Sequence, residues 1–146
     1  NRFSGIENRL AKKEQDMLSG VCIGTNNLAV ASEFYDTVLA TIGMRRTLTE
    51  PREVGYAGVD GRISMFLIVP YNDQPASFGN GTQFMFYAPD AAAVRAFHAT
   101  ALECGGMDEG KPGPRSYHPD YYGAYVRDLD GNKLNVSVSL ETSPAG

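Results

Sequence analysis

From Met17 onward, the hydrophobic and polar positions of the chain switch repeatedly between two periods. Leu18–Gly24 is a short apolar run of strand type. Leu28, Ala31, Phe34, Tyr35, Val38, Leu39 and Ile42 then recur at helical spacing. Asn26 or Asn27 stands where a cap is needed, and Gly43 where the helix must stop. Three strand-like segments follow: Met44–Thr49, Glu53–Val59 and Ile63–Val69. Asp60-Gly61 predicts a hairpin turn between the last two. After a polar loop over 70–80 the order returns. Thr82–Tyr87 is a strand pattern, and Asp90 caps a helix running to Ala101-Leu102 that Gly105-Gly106 ends. A short segment at Met107–Glu109 and a loop from Lys111 to Ser116 lead to strands Tyr121–Arg127 and Lys133–Leu140. Leu129-Asp130-Gly131-Asn132 turns between those two.

The return is quantitative. Asn27, Phe34 and Gly43 recur 63 residues later as Asp90, Phe97 and Gly106: a cap, a core-facing aromatic and a helix stop. The turns at Asp60-Gly61 and Asp130-Gly131 are 70 residues apart, and the seven extra residues fit the loop around 111–120. The pattern predicts two copies of strand–helix–strand–strand–strand, over 17–80 and 81–141, within one domain. Residues 1–16 read differently. Ser4-Gly5-Ile6-Glu7 fits a capping box, and Ile6 and Leu10 share a helical face, so the segment is expected to be a short helix or an appended extension. Residues 142–146 are expected to fray.

Composition narrows the function. With 146 residues and 42% hydrophobic content the chain can bury about 70% of its unfolded surface without disulfides or a structural metal. A net charge of −4 argues against nucleic acid or an anionic membrane as partner. Two histidines, His98 and His118, and two cysteines, Cys22 and Cys104, are too few for a Cys/His zinc site. The same cysteine usage suits a cytoplasmic location. No apolar run reaches membrane-spanning length, and no signal peptide pattern precedes Met17. Asp128-Leu129-Asp130-Gly131 lacks the spacing of a calcium loop, and neither a phosphate-binding loop nor a nucleophile elbow occurs.

The duplicated unit has Phe34-Tyr35 in its first helix and Asp128-Leu129-Asp130-Gly131-Asn132-Lys133-Leu134 before its last strand. Together with the Tyr-His-Pro-Asp-Tyr-Tyr segment at 117–122, it resembles the vicinal oxygen chelate superfamily, in particular glyoxalase/bleomycin-resistance-like proteins. The resemblance spans Met17 to about Glu141. It implies an α+β fold in which two βαβββ modules form a curved mixed sheet around a cavity, usually completed in a homodimer. Metal-dependent members hold the ion at four inward positions, which match Gly20, Met65, Gln83 and Asn135 in this sequence. Glycine offers no ligand atom, a thioether is soft and weak, and neutral amides bind divalent cations poorly without carboxylates nearby. Neither a metal nor any other cofactor is therefore expected. Cys22, on the strand face of Gly20, either adds one ligand or packs as a small hydrophobe.

Tyr125 precedes Asn135 by ten residues, the interval separating an active-site tyrosine from the glutamate ligand in extradiol dioxygenases. Tyr121, Gly123 and Tyr125 share one strand face. Both tyrosines either contact a planar ligand or serve as core or interface aromatics. His118 is a candidate general base or ligand contact, with a solvated loop histidine as the alternative. Arg115 is either an anchor for an anionic group or a surface charge. Phe66 and Met85 line either core or cavity, and His98 is expected at the surface. The reading is a metal-free small-molecule-binding protein with an aromatic and amide-lined cavity, acting by sequestration on a small hydrophobic or aromatic partner. The alternatives are a metal-independent isomerase or lyase using Tyr125 or His118, and a metal-dependent lyase or dioxygenase.

Overall fold

The computed structural model describes residues 17–138. The segments expected at 1–16 and 142–146 lie outside them. Each helix starts where a short polar side chain can satisfy a free amide. Asn27 Oδ1 accepts from Val30 N at 3.2 Å, opening α1 (Leu28–Ala40), and Asp90 Oδ1 accepts from Ala93 N at 2.8 Å, opening α2 (Ala91–Glu103). The helices are of equal length and keep the 63-residue offset of their caps. At the C-termini the offset slips by one. Gly43, at φ +83°, is matched by Gly105, at φ +96°, and not by Gly106. The left-handed turn lets Met44 N reach Leu39 O at 3.0 Å and Gly106 N reach Ala101 O at 2.8 Å. Gly106 is required for another reason: a Cβ there would lie 2.8 Å from the carbonyl oxygens of Ala101 and Arg127.

The strands form two four-stranded sheets that do not close on each other. The first holds β1 (Val21–Gly24), β2 (Arg45–Thr49), β3 (Glu53–Ala57) and β4 (Ile63–Ile68) in the order β1-β4-β3-β2. The second holds β5 (Gln83–Ala88), β6 (Met107–Pro114), β7 (Tyr122–Arg127) and β8 (Lys133–Val138) in the order β5-β8-β7-β6. β1 runs parallel to β4 and β5 to β8; the other pairs are antiparallel. This is the predicted pair of βαβββ modules. β6 is longer than the short segment the sequence predicts. It extends through Pro112 and Pro114, which an edge strand tolerates, and shifts register twice against β7.

One face of each sheet packs on the helices. Ile23, Tyr56, Met65 and Leu67 meet Phe34, Tyr35, Val38 and Leu39; Ala124, Val126, Leu134 and Val136 meet Val94, Phe97 and Ala101. All belong to one continuous core. The helix-start turn of the first module is tied to the hairpin turn of the second. Thr25 Oγ1 donates to Asp130 Oδ2 at 2.6 Å, Asn26 N donates to Asp130 Oδ1 at 2.9 Å, and Tyr35 Oη donates to Asp128 Oδ2 at 2.5 Å. Burial raises the Asp128 carboxyl and pushes the Tyr35 phenol well up.

His98 is not at the surface. It is 7% exposed, with Nε2 2.9 Å from Asp108 Oδ1 on β6. It lies four residues after Val94, so α2 buries the stripe Val94, Phe97, His98 and Ala101, wider than Phe97 alone suggested.

Met65 is a second correction. A bulge at Ser64 moves the pairing from Tyr56–Met65 directly to Ala57–Ile63. The 70-residue offset therefore holds as far as Ile63 and Lys133, then becomes 69. Asn135 corresponds to Phe66, and Met65 turns into the core at 1% exposure. A one-residue slip exchanges the two faces of a strand.

Candidate functional site

The side chains that alternate away from the helices form the open face of each sheet. On the second sheet, β5 presents Gln83, Met85 and Tyr87, while β8 presents Lys133, Asn135 and Ser137, each directly beside its counterpart in parallel register. Tyr125 of β7 pairs with Asn135. The segment before β7 folds back over this face and brings in Tyr117 and Tyr121. The result is a cavity of about 550 Å³, walled by Gln83, Met85, Tyr87, Asn135 and Ser137 from the sheet and by the three tyrosines 117, 121 and 125.

Its polar groups are organised. Asn135, 4% exposed, donates through Nδ2 to Tyr121 Oη at 3.0 Å and to Ala124 O at 3.2 Å. Tyr125 Oη donates to Tyr117 Oη at 3.3 Å, and the rings of Tyr117 and Tyr121 meet edge to face with centroids 5.1 Å apart. Gly123 makes the seat for this cluster. A Cβ there would lie 2.5 Å from Tyr121 Oη and 2.8 Å from Val136 O. Desolvation, reinforced by hydrogen bonds among the tyrosines, raises the Tyr125 phenol well above its ordinary range. Tyr125 is thus a neutral hydrogen-bonding group at physiological pH. Arg115 Cζ lies 5.8 Å from its ring centroid, with the guanidinium donating to Lys111 O at 2.7 Å and Pro114 O at 3.1 Å.

The fold therefore brings Gln83, Met85, Tyr121, Tyr125 and Asn135 together, with Arg115 behind Tyr125. It does not bring in Met65, Phe66, Cys22 or His118. Met65 is in the core, as described above. Phe66 and Cys22 are register partners on the open face of the first sheet. Cys22 borders a hollow of about 150 Å³ shared with Phe84, Asn132 and Lys133. His118 is half-exposed in the loop, its Nδ1 accepting from Asp120 N at 3.0 Å, and it does not line the cavity. Tyr117, Tyr87 and Ser137 were not singled out by the sequence reading. Tyr87 and Ser137 follow Met85 and Asn135 by two residues, and strand alternation was the signal for both. Tyr117 opened the Tyr-His-Pro-Asp-Tyr-Tyr segment that carried the resemblance, but a loop has no period to show which way it faces.

The donor set does not suit a metal. By the corrected register the four family positions hold Gly20, Phe66, Gln83 and Asn135, of which only the two neutral amides offer a ligand oxygen. Among the described residues no group of three His, Cys, Asp or Glu side chains is placed to hold a metal ion. Two neutral amides without a carboxylate supply neither the charge nor the ligand number that a catalytic divalent ion needs.

No protein-family model matches the chain, and no curated protein matches it. Solved structures do. A glyoxalase/bleomycin resistance protein from Albidiferax ferrireducens is 35% identical, with a TM-score of 0.77 over 84% of this chain and 98% of that one. Lactoylglutathione lyase from Agrobacterium tumefaciens is 23% identical, with a TM-score of 0.60 over 85% and 94%. The fosfomycin resistance protein FosX from Mesorhizobium loti is 18% identical, with a TM-score of 0.61 over 86% and 93%. At those two lower identities the likeness is one of fold.

Proposed function

The chain belongs to the glyoxalase/bleomycin resistance family of the vicinal oxygen chelate superfamily, and on that premise we propose that it is a metal-free small-molecule-binding protein acting by sequestration. One observation carries the reading. The cavity on the second sheet is large enough for a bicyclic aromatic molecule, and its walls are tyrosine, amide and thioether side chains. Of the described residues, no carboxylate or imidazole lines it. Phenol rings stack on planar ligands, and their hydroxyls, with the Asn135 and Gln83 amides, fix orientation. Met85, 74% exposed, and Tyr87, 63% exposed, stand at its margin. A second copy of the chain covering that margin would complete the enclosure, so the binding form is proposed to be a homodimer.

The acid–base alternative is weaker. A general base works best with a pKa near the operating pH, and Tyr125 is shifted away from it. His118 lies off the cavity wall.

The test combines elemental analysis of the purified protein with thermal-shift screening of planar aromatic compounds. Stabilisation by such compounds in metal-free protein is the expected result. A stoichiometric divalent ion held through Gln83 and Asn135, and lost on Gln83→Ala, would overturn the proposal.

A further inference from the structure

We propose that the cavity selects planar anions, with Lys133 as the residue that anchors the anionic group. The inference rests on the small-molecule reading above and adds the charge of the ligand. Lys133 does not line the cavity wall itself; it borders the small neighbouring hollow and stands on the open face in register with Gln83, which lines the cavity. Its Nζ is 5.1 Å from the centroid of the Tyr125 ring, a cavity wall. It makes no hydrogen bond or ion pair with a described residue. The carboxylate within its electrostatic reach, Glu109, is engaged elsewhere: Arg127 Nε donates to Glu109 Oε1 at 2.6 Å. Arg115, the other cation over the Tyr125 ring, is held by bonds to two neutral carbonyl oxygens. Tyr125 is thus flanked by two positive charges with no carboxylate partner, beside a cavity lined by no acidic side chain.

Such a field favours an anion and disfavours a cation. Each ammonium or guanidinium hydrogen bond to a carboxylate is also stronger than one to a neutral acceptor. Lys133 suits the anchoring role better than Arg115, because its ammonium is free on a flexible stem, whereas the Arg115 guanidinium is fixed by its bonds to Lys111 and Pro114. The ligand class is accordingly an aromatic carboxylate or phenolate, its ring against the tyrosines and its charge toward Lys133 and Gln83.

Three isosteric probes test this by calorimetry on the full chain: 2-naphthoate, 2-naphthamide and 2-naphthylmethylamine. Wild-type protein should bind the acid at least about tenfold more tightly than the amide, and the amine most weakly. Lys133→Met should weaken the acid about tenfold while changing the amide by less than about twofold. Lys133→Arg should restore most of the loss. Arg45→Met, which removes the same charge from an exposed site on the first sheet, should change neither. Unaltered amide binding confirms that Lys133→Met is folded. Equal binding of acid and amide by wild type, or a preference that survives Lys133→Met, overturns this inference and leaves the sequestration reading standing. Failure of all three probes to bind overturns both.

Discussion

The two sheets have the same strand order but opposite open faces. Across the second sheet one row reads Met85, Asn135, Tyr125, Gly110. The equivalent row of the first reads Cys22, Phe66, Gly55, Leu48. Where one carries a tyrosine the other carries a glycine, and the glycine of one is matched by a leucine in the other. At Gly55 the space is taken by Ile63, whose side chain lies about 3.0 Å from where a Cβ would be. Asn135, the polar centre of the second row, is matched by Phe66. The duplicated backbone supports a tyrosine- and amide-lined cavity on one sheet, while the first sheet carries an apolar row beside a hollow of about 570 Å³ lined by Leu48, Glu50, Arg52, Glu53, Ile68 and Tyr71. Side-chain chemistry, one bulge and the longer segment that brings Tyr117 and Tyr121 over the second sheet account for that difference, not a difference in strand order.

The sharpest way to break the comparison is at the bulge. Met65→Ala should cost about 2–5 kcal/mol of unfolding free energy, as for other buried methionines. Phe66→Ala should cost no more than about 1.5 kcal/mol, since Phe66 is only half-buried. Equal losses in urea denaturation would mean that Ser64 does not shift the register.

The ties between the modules come next. Tyr35→Phe should cost about 1.5–3 kcal/mol, because it leaves the buried Asp128 carboxyl short of a donor. Alkali probes the same group. Tyr35, Tyr56 and Tyr125 are all raised above their ordinary value, so the folded chain keeps protons that the unfolded chain releases. Their contribution is complete below about pH 10 and declines as pH rises beyond it. A denaturation midpoint that stays flat from pH 9 to 11 would contradict this.

Ligand affinity should then separate the faces. Asn135→Leu should weaken an aromatic ligand by about 10–100-fold, since it removes the amide that orients Tyr121. Cys22→Ala on the other sheet should leave binding within about twofold, as measured by calorimetry. The smallest effect is expected at His118. His118→Ala should change affinity by less than about twofold, and a loss beyond about tenfold would return the loop histidine to the site.

Much of the fold was legible because its signals are local. Caps at Asn27 and Asp90, the two Asp-Gly turns and the 63-residue helix offset are carried by short polar residues with one conformational use. The failures share another cause. Ser64 looks like any strand residue, yet as a bulge it moves Met65 from the open face to the core. His98 reads as a polar helix residue, but β6 packs against it and supplies Asp108. The site was half legible. The family resemblance marked Gln83, Tyr125 and Asn135, and strand alternation added Met85, while the loop that delivers Tyr117 has no repeat to follow.

The sequence by itself determined the two βαβββ modules, their caps and turns. Periodicity and residue chemistry are properties of the chain before it folds. Only the tertiary structure decided which residues face the tyrosine-lined cavity, and that Lys133 stands beside Tyr125 while Glu109, the carboxylate within its reach, is bonded to Arg127. Those outcomes depend on register and on contacts between residues distant in sequence, which no local pattern contains.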